Sequence, residues 1–165
     1  MSERSKVDPR SGGRSLARKF AMQAIYRLQI NEGPWQDALK ELQGEDDMPN
    51  TDREYFAELV QAVAESRDAL DERLAPWLDR KPAELDPVEH AVLLVGLHEL
   101  VGRLDVPYRV VINESVELAK SFGGTDGHRY VNGVLDRFAA DVRAVEHCAR
   151  QRMFAAGLQR GGVGE

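Results

Sequence analysis

The sequence predicts an all-α protein, and three observations carry that prediction. Apolar residues recur at helical spacing through most of the chain, and no run shows the apolar–polar alternation of a half-buried strand. Breaks at Gly33-Pro34, Pro76, Asp105-Val106-Pro107 and Gly123-Gly124 divide the chain into segments of helical length. One segment, from Val88 to Val101, is apolar on most sides, as a helix in the middle of a bundle must be.

The elements follow in order. Residues 1–13 are polar, with Pro9 and Gly12-Gly13, and are expected to form a flexible tail. A helix follows from about Arg14 to Ile30, with Phe20, Ala21, Ala24, Ile25 and Leu28 as its core stripe and Arg18, Lys19 and Tyr26 on a flank. A short helix at Trp35–Leu42 and an acidic loop, GEDDMPNTD, come next. Thr51 or Asp52 starts a helix that buries Tyr55, Phe56, Leu59, Val60, Val63 and Leu70 and runs to about Leu74. Asp86-Pro87-Val88-Glu89 reads as N-cap, N1 proline and N3 glutamate, opening the central helix through Arg103.

From Tyr108 the chain reads YRVVINESVELAKSFGGTDGHRYVNGVLD. Val111, Ser115, Leu118, Ala119 and Phe122 fall on one side of its first helix, and Asn113, Glu114, Glu117, Lys120 and Ser121 on the other. Gly123-Gly124 stops that helix, and Thr125 or Asp126 is placed to cap the next. The last firm helix, from about His128 to Val142, is expected to bury Tyr130, Val131, Val134 and Phe138. Gly133 inside it costs about 1 kcal/mol relative to alanine, which predicts a close helix–helix contact there. Residues 146–165 hold further helical sequence and end in a glycine-rich tail.

Composition narrows the function classes. Hydrophobic residues make up 42% and charged residues 30%, which fits a helical globule. Cys148 is the one cysteine, so neither an intramolecular disulfide nor a cysteine metal cluster is expected, consistent with a reducing cytoplasm. The N-terminus has no apolar signal region and no eighteen-residue apolar run occurs, so secretion and membrane spanning are disfavoured. Net charge is −6, but residues 1–19 carry six cations (Arg4, Lys6, Arg10, Arg14, Arg18, Lys19) against Glu3 and Asp8. A local balance of +4 against −10 elsewhere suits a protein that meets a polyanion at one end and another partner with the rest.

Residue spacing argues against the common catalytic and cofactor motifs. No His follows His98-Glu99 at the HExxH interval, no Glu lies three residues before a His, and neither a GxxxxGK[ST] nor a GxGxxG loop occurs. FGGTDG joins two helices rather than a strand to a helix, so it reads as a helix break. Glu114, Glu117 and Lys120 lie along a polar stripe and read as solvated charge, while His90, His98 and His147 read as structural or surface residues. The expectation is a chain with no catalytic residues, no metal and no cofactor.

The stretch VPYRVVINESVELAKSFGGTDGHRYVNGVLD, with ARKFAMQAIY at 17–26 and DPVEHAVLLVGLHEL in the centre, resembles the NusB family of bacterial transcription antitermination factors over roughly residues 14–142. The resemblance implies an all-helical bundle of two packed halves: about 14–80 and 81–145 within a domain spanning 14–145, a flexible tail before it and an extension at 146–165. It also implies binding of boxA leader RNA together with the ribosomal protein NusE, within an antitermination complex on RNA polymerase. The family's arginine-rich start is thinned here to Arg14 and Arg18, with Ser15 and Leu16 in place of further arginines. Implied RNA contacts are Arg14, Arg18, Lys19, Lys120, Arg129 and Tyr130, the last as a base-stacking platform or a core residue, with Asp126 moderating affinity by repelling phosphate. Tyr26 and Glu89 match positions facing NusE. The protein is expected as a monomer or homodimer. The alternative is a non-catalytic RNA-targeting or dimerisation module related to the NusB-like domain of ribosomal RNA methyltransferases; 165 residues leave no room for the methyltransferase fold itself.

Overall fold

The structure, a computed structural model, describes residues 9–149 and 152–153. Its helices are α1 (Pro9–Ile30), α2 (Trp35–Leu42), α3 (Arg53–Glu65), α4 (Arg67–Leu74), α5 (Pro87–Gly102), α6 (Tyr108–Phe122) and α7 (Gly127–Val142). Single 3-10 turns lie at Met48–Asn50, Ala75–Trp77 and Pro82–Glu84, and residues 144–149 are again helical. No strand occurs among the described residues.

The all-round apolar helix occupies the centre, as its sequence requires. Ala91 to Leu97 of α5 are buried without a break, because α1, α3 and α4 pack on one side and α6 and α7 on the other. Asp86 caps it, its carboxylate accepting from the backbone N–H of Val88 at 3.0 Å and of Glu89 at 3.2 Å. At the other end the buried Arg143 guanidinium donates to the carbonyls of Glu99, Leu100, Arg103 and Val106 at 2.7–3.1 Å. These are carbonyls of the last turn of α5 and the loop beyond it, where helix ends lack partners.

Five expectations are corrected. Helix α1 begins at Pro9, not near residue 14, since proline suits the first helical turn and Gly13 is buried against the next corner. The Asp52 N–H donates to Gly13 O at 3.0 Å, and a Cβ at Gly13 would lie 3.1 Å from that nitrogen. The single helix expected to run to Leu74 divides at Ser66, where φ −117° and ψ 14° interrupt the ladder and turn Leu70 and Leu74 into the core. Phe122 is 40% exposed rather than buried, because at the last position of α6 it borders an open groove lined by residues of α1 and α5. Gly133 meets nothing where a Cβ would stand; among the helix glycines that are crowded instead is Gly96, where Ser115 Oγ at 2.8 Å and Leu135 Cδ1 at 3.1 Å press on α5. Asp126 precedes α7 without making a side-chain cap. The expected basic residues Arg4 and Lys6 lie outside the described residues, as does most of the glycine-rich end.

Candidate nucleic-acid interface

The arginine-bearing end of α1 does not form a plain cationic face. Arg18 sits 4% exposed, and its guanidinium meets Glu99 of α5 in a forked pair. Nε donates to the two carboxylate oxygens at 2.8 and 3.0 Å, and Nη2 to Oε2 at 3.0 Å. The Tyr55 hydroxyl of α3 donates to the same carboxylate at 2.6 Å. Burial opposes the charge on Arg18, but the Glu99 hydrogen bonds and charge more than offset it and raise its pKa. Burial, then the Glu99 charge, push the Tyr55 phenol upward. Arg18, expected at the RNA face, is therefore a core residue that ties α1 to α3 and α5. Glu99, a carboxylate near the end of the apolar stretch of α5, was the available signal, since a buried charge demands an opposite one.

Arg14 is half-buried, lying 4.6 Å over the Tyr55 ring with its Nε 4.0 Å from Asp52. The neighbouring Ser15 hydroxyl donates to Glu114 of α6 at 2.7 Å, so the two polar flanks meet. Lys19 is half-buried, with its ammonium 5.3 Å from the Phe20 ring. Lys120 is exposed and 3.6 Å from Glu117, a solvated pair of little energetic weight. Arg129 and Asp126 are both exposed around the start of α7. Tyr130 is half-buried: its hydroxyl donates to Asp79 at 2.9 Å and the Arg80 guanidinium stacks 4.9 Å over its ring. Arg80, then Tyr130, hold the Asp79 carboxyl down to about 2.

Tyr26, 36% exposed, opens onto a groove of about 440 Å³. Lys19, Phe20, Met22, Gln23 and Arg27 line it from α1, Val88 from α5 and Phe122 from α6. The structure thus brings Lys19 and Tyr26 to one depression, with Glu89 one residue beyond Val88, while Arg14 stands apart at the Tyr55 corner. Phe122 belongs to this groove and was missed because helical spacing alone assigned it to the core. Burial, then Asp86, raise the Glu89 carboxyl above its ordinary range, against the pull of Arg80. Among the described residues no group of three or more His, Cys, Asp or Glu could hold a metal ion, and no helix is long and apolar enough to cross a membrane.

A family model described as the NusB family matches residues 15–140. The chain belongs to the NusB family. It is 49% identical over 136 residues to the transcription antitermination protein NusB of Thiobacillus denitrificans, covering 82% of this chain and 94% of that one. The namesake from Teredinibacter turnerae is 52% identical over 134 residues, covering 81% and 91%. Among solved structures, T. maritima NusB superposes with a TM-score of 0.69 at 24% identity over 78% of this chain and 91% of that one, a likeness of fold. A crystal structure of the antitermination factors NusB and NusE in complex with dsRNA superposes with a TM-score of 0.70 at 26% identity, covering 76% of this chain and 94% of that one.

Proposed function

We propose that this protein is a non-catalytic transcription antitermination factor that works in the cytoplasm. On this reading it binds boxA-type leader RNA together with ribosomal protein NusE, as part of an antitermination complex on RNA polymerase. The observation that carries it is the groove between α1, α5 and α6: an apolar floor of Phe20, Met22, Val88 and Phe122, with Tyr26 at its edge and Lys19 among its lining. Family membership and the NusB–NusE–dsRNA neighbour support the same partners. In this reading Tyr26 and Glu89 meet NusE, Tyr26 as an exposed aromatic beside an apolar floor, the residue type that most often anchors a protein partner. Arg14, Lys19, Lys120 and Arg129 attract phosphates, Asp126 opposes them, and Tyr130, stacked under Arg80, offers the rest of its ring to an unpaired base.

Calorimetric titration with NusE tests the protein half. Tyr26→Ala is expected to weaken binding about tenfold, as truncation of a tyrosine anchor does, while leaving the melting temperature nearly unchanged because the ring is partly solvated. Wild-type affinity in that variant would exclude Tyr26 from the contact.

A further inference from the structure

The first turn of α7 carries a glycine whose backbone does not need to be glycine. No residue in the described chain has a positive φ, so Gly127 adopts a conformation open to any side chain. It is nonetheless buried, and what fills the missing side-chain space is Glu89. A Cβ at Gly127 would overlap Glu89 Oε1 and lie 2.8 Å from Cδ and 3.2 Å from Cγ. No other residue supplies any of the three nearest atoms, and a Cβ on Gly124 in the preceding loop would lie 4.0 Å from the same oxygen. The acid is drawn across from α5 to α7, with Asp86 on its own helix and Arg80 from the preceding loop as its charged neighbours.

We propose that Gly127 is the positioning residue for Glu89: its absent side chain lets the carboxylate lie across the first turn of α7, in the place from which it meets the partner protein. The inference deepens the proposed NusE contact and rests on it for its functional half. It also joins the partner side of α5 to the loop that carries Asp126 and leads to Arg129. Because the overlapping atom is the end of a flexible side chain, alanine at 127 displaces the carboxylate without breaking the fold, and alanine favours a helix more than glycine does.

The experiment combines two readouts on the full chain. Carboxyl ¹³C titration of Glu89 is expected to move from its raised midpoint toward that of an ordinary glutamate in Gly127→Ala, since the displaced group regains water. NusE affinity is expected to fall about three- to tenfold in Gly127→Ala and to show no further loss when the same change is made on Glu89→Ala. An unchanged Glu89 midpoint overturns the positioning role. An equal affinity loss with and without the Glu89 carboxylate also overturns it, because Gly127 then acts on its own. Wild-type NusE affinity in Glu89→Ala alone overturns the functional half at a different step, the contact itself, and the titration separates the two failures.

Discussion

Glu99→Ala and Arg18→Ala are each expected to destabilise the protein by about 3–5 kcal/mol, because each leaves its partner's charge buried and unpaired. The pair is almost wholly removed from water, with side-chain exposures of 5% for Arg18 and 1% for Glu99, so solvent screening offers little relief. Arg18→Ala leaves Glu99 with only the Tyr55 hydroxyl, and Glu99→Ala leaves the guanidinium with Glu114 at 3.9 Å. For a domain of this length the loss corresponds to a fall in melting temperature of roughly 6–20 °C. The triple variant Arg18→Met, Tyr55→Phe, Glu99→Leu recovers most of it, since apolar side chains of similar volume need no hydrogen-bonding partner and the Tyr55 hydroxyl, which donates to Glu99, goes with them. Denaturant and thermal unfolding of the four proteins decide the matter. An Arg18→Ala protein that melts as the wild type does, but binds RNA with a shallower salt dependence, would return Arg18 to the phosphate face.

The second large effect is on RNA. Replacing Arg14, Lys19, Lys120 and Arg129 together by glutamine is expected to reduce the slope of log affinity against log salt by about 3 if each neutralises one phosphate, at roughly 0.7–0.9 for each phosphate no longer neutralised. A slope change of that size means the wild type loses about sixtyfold more affinity than the variant between 50 and 200 mM salt. Lys120 and Arg129 are exposed, and Lys19 and Arg14 are half-buried, Arg14 with its guanidinium against the Tyr55 ring, so glutamine at all four leaves the apolar core in place. Filter binding across a salt series reads the slope directly. A folded variant with the wild-type slope would remove these cations from the interface.

These two predictions mark where the sequence was legible. Local signals held: Asp86-Pro87 starts α5, Gly123-Gly124 ends α6, and the all-round apolar segment lies at the centre. Each depends on residues within a few positions of one another. Arg18 was misread because its partner is 81 positions away, and an arginine on a helix flank looks alike whether it faces water or a buried carboxylate. The glycines divide the same way. Gly133 looked like a packing glycine by its place in α7, yet the position is open, whereas Gly96 and Gly127 are crowded by Ser115, Leu135 and Glu89 from other helices. Which glycine is needed depends on which helices cross, and that is decided by the assembled bundle. Phe122 shows the same limit, since a periodic pattern does not say where facing helices leave a groove open.

Lys19 lines the same groove that Tyr26 edges, and Glu89 on Gly127 joins α5 to the turn that leads to Arg129. Joint recognition of RNA and NusE is what this arrangement would serve, and coupling between the two partners is its signature. A boxA-type RNA is titrated at fixed salt with this protein alone and then with its preformed complex with NusE. Binding by the complex is expected to be tighter by about 5- to 150-fold, an ordinary coupling between two sites, with the same factor recovered when NusE is titrated into the RNA-bound protein. Equal RNA affinities with and without NusE would contradict joint recognition.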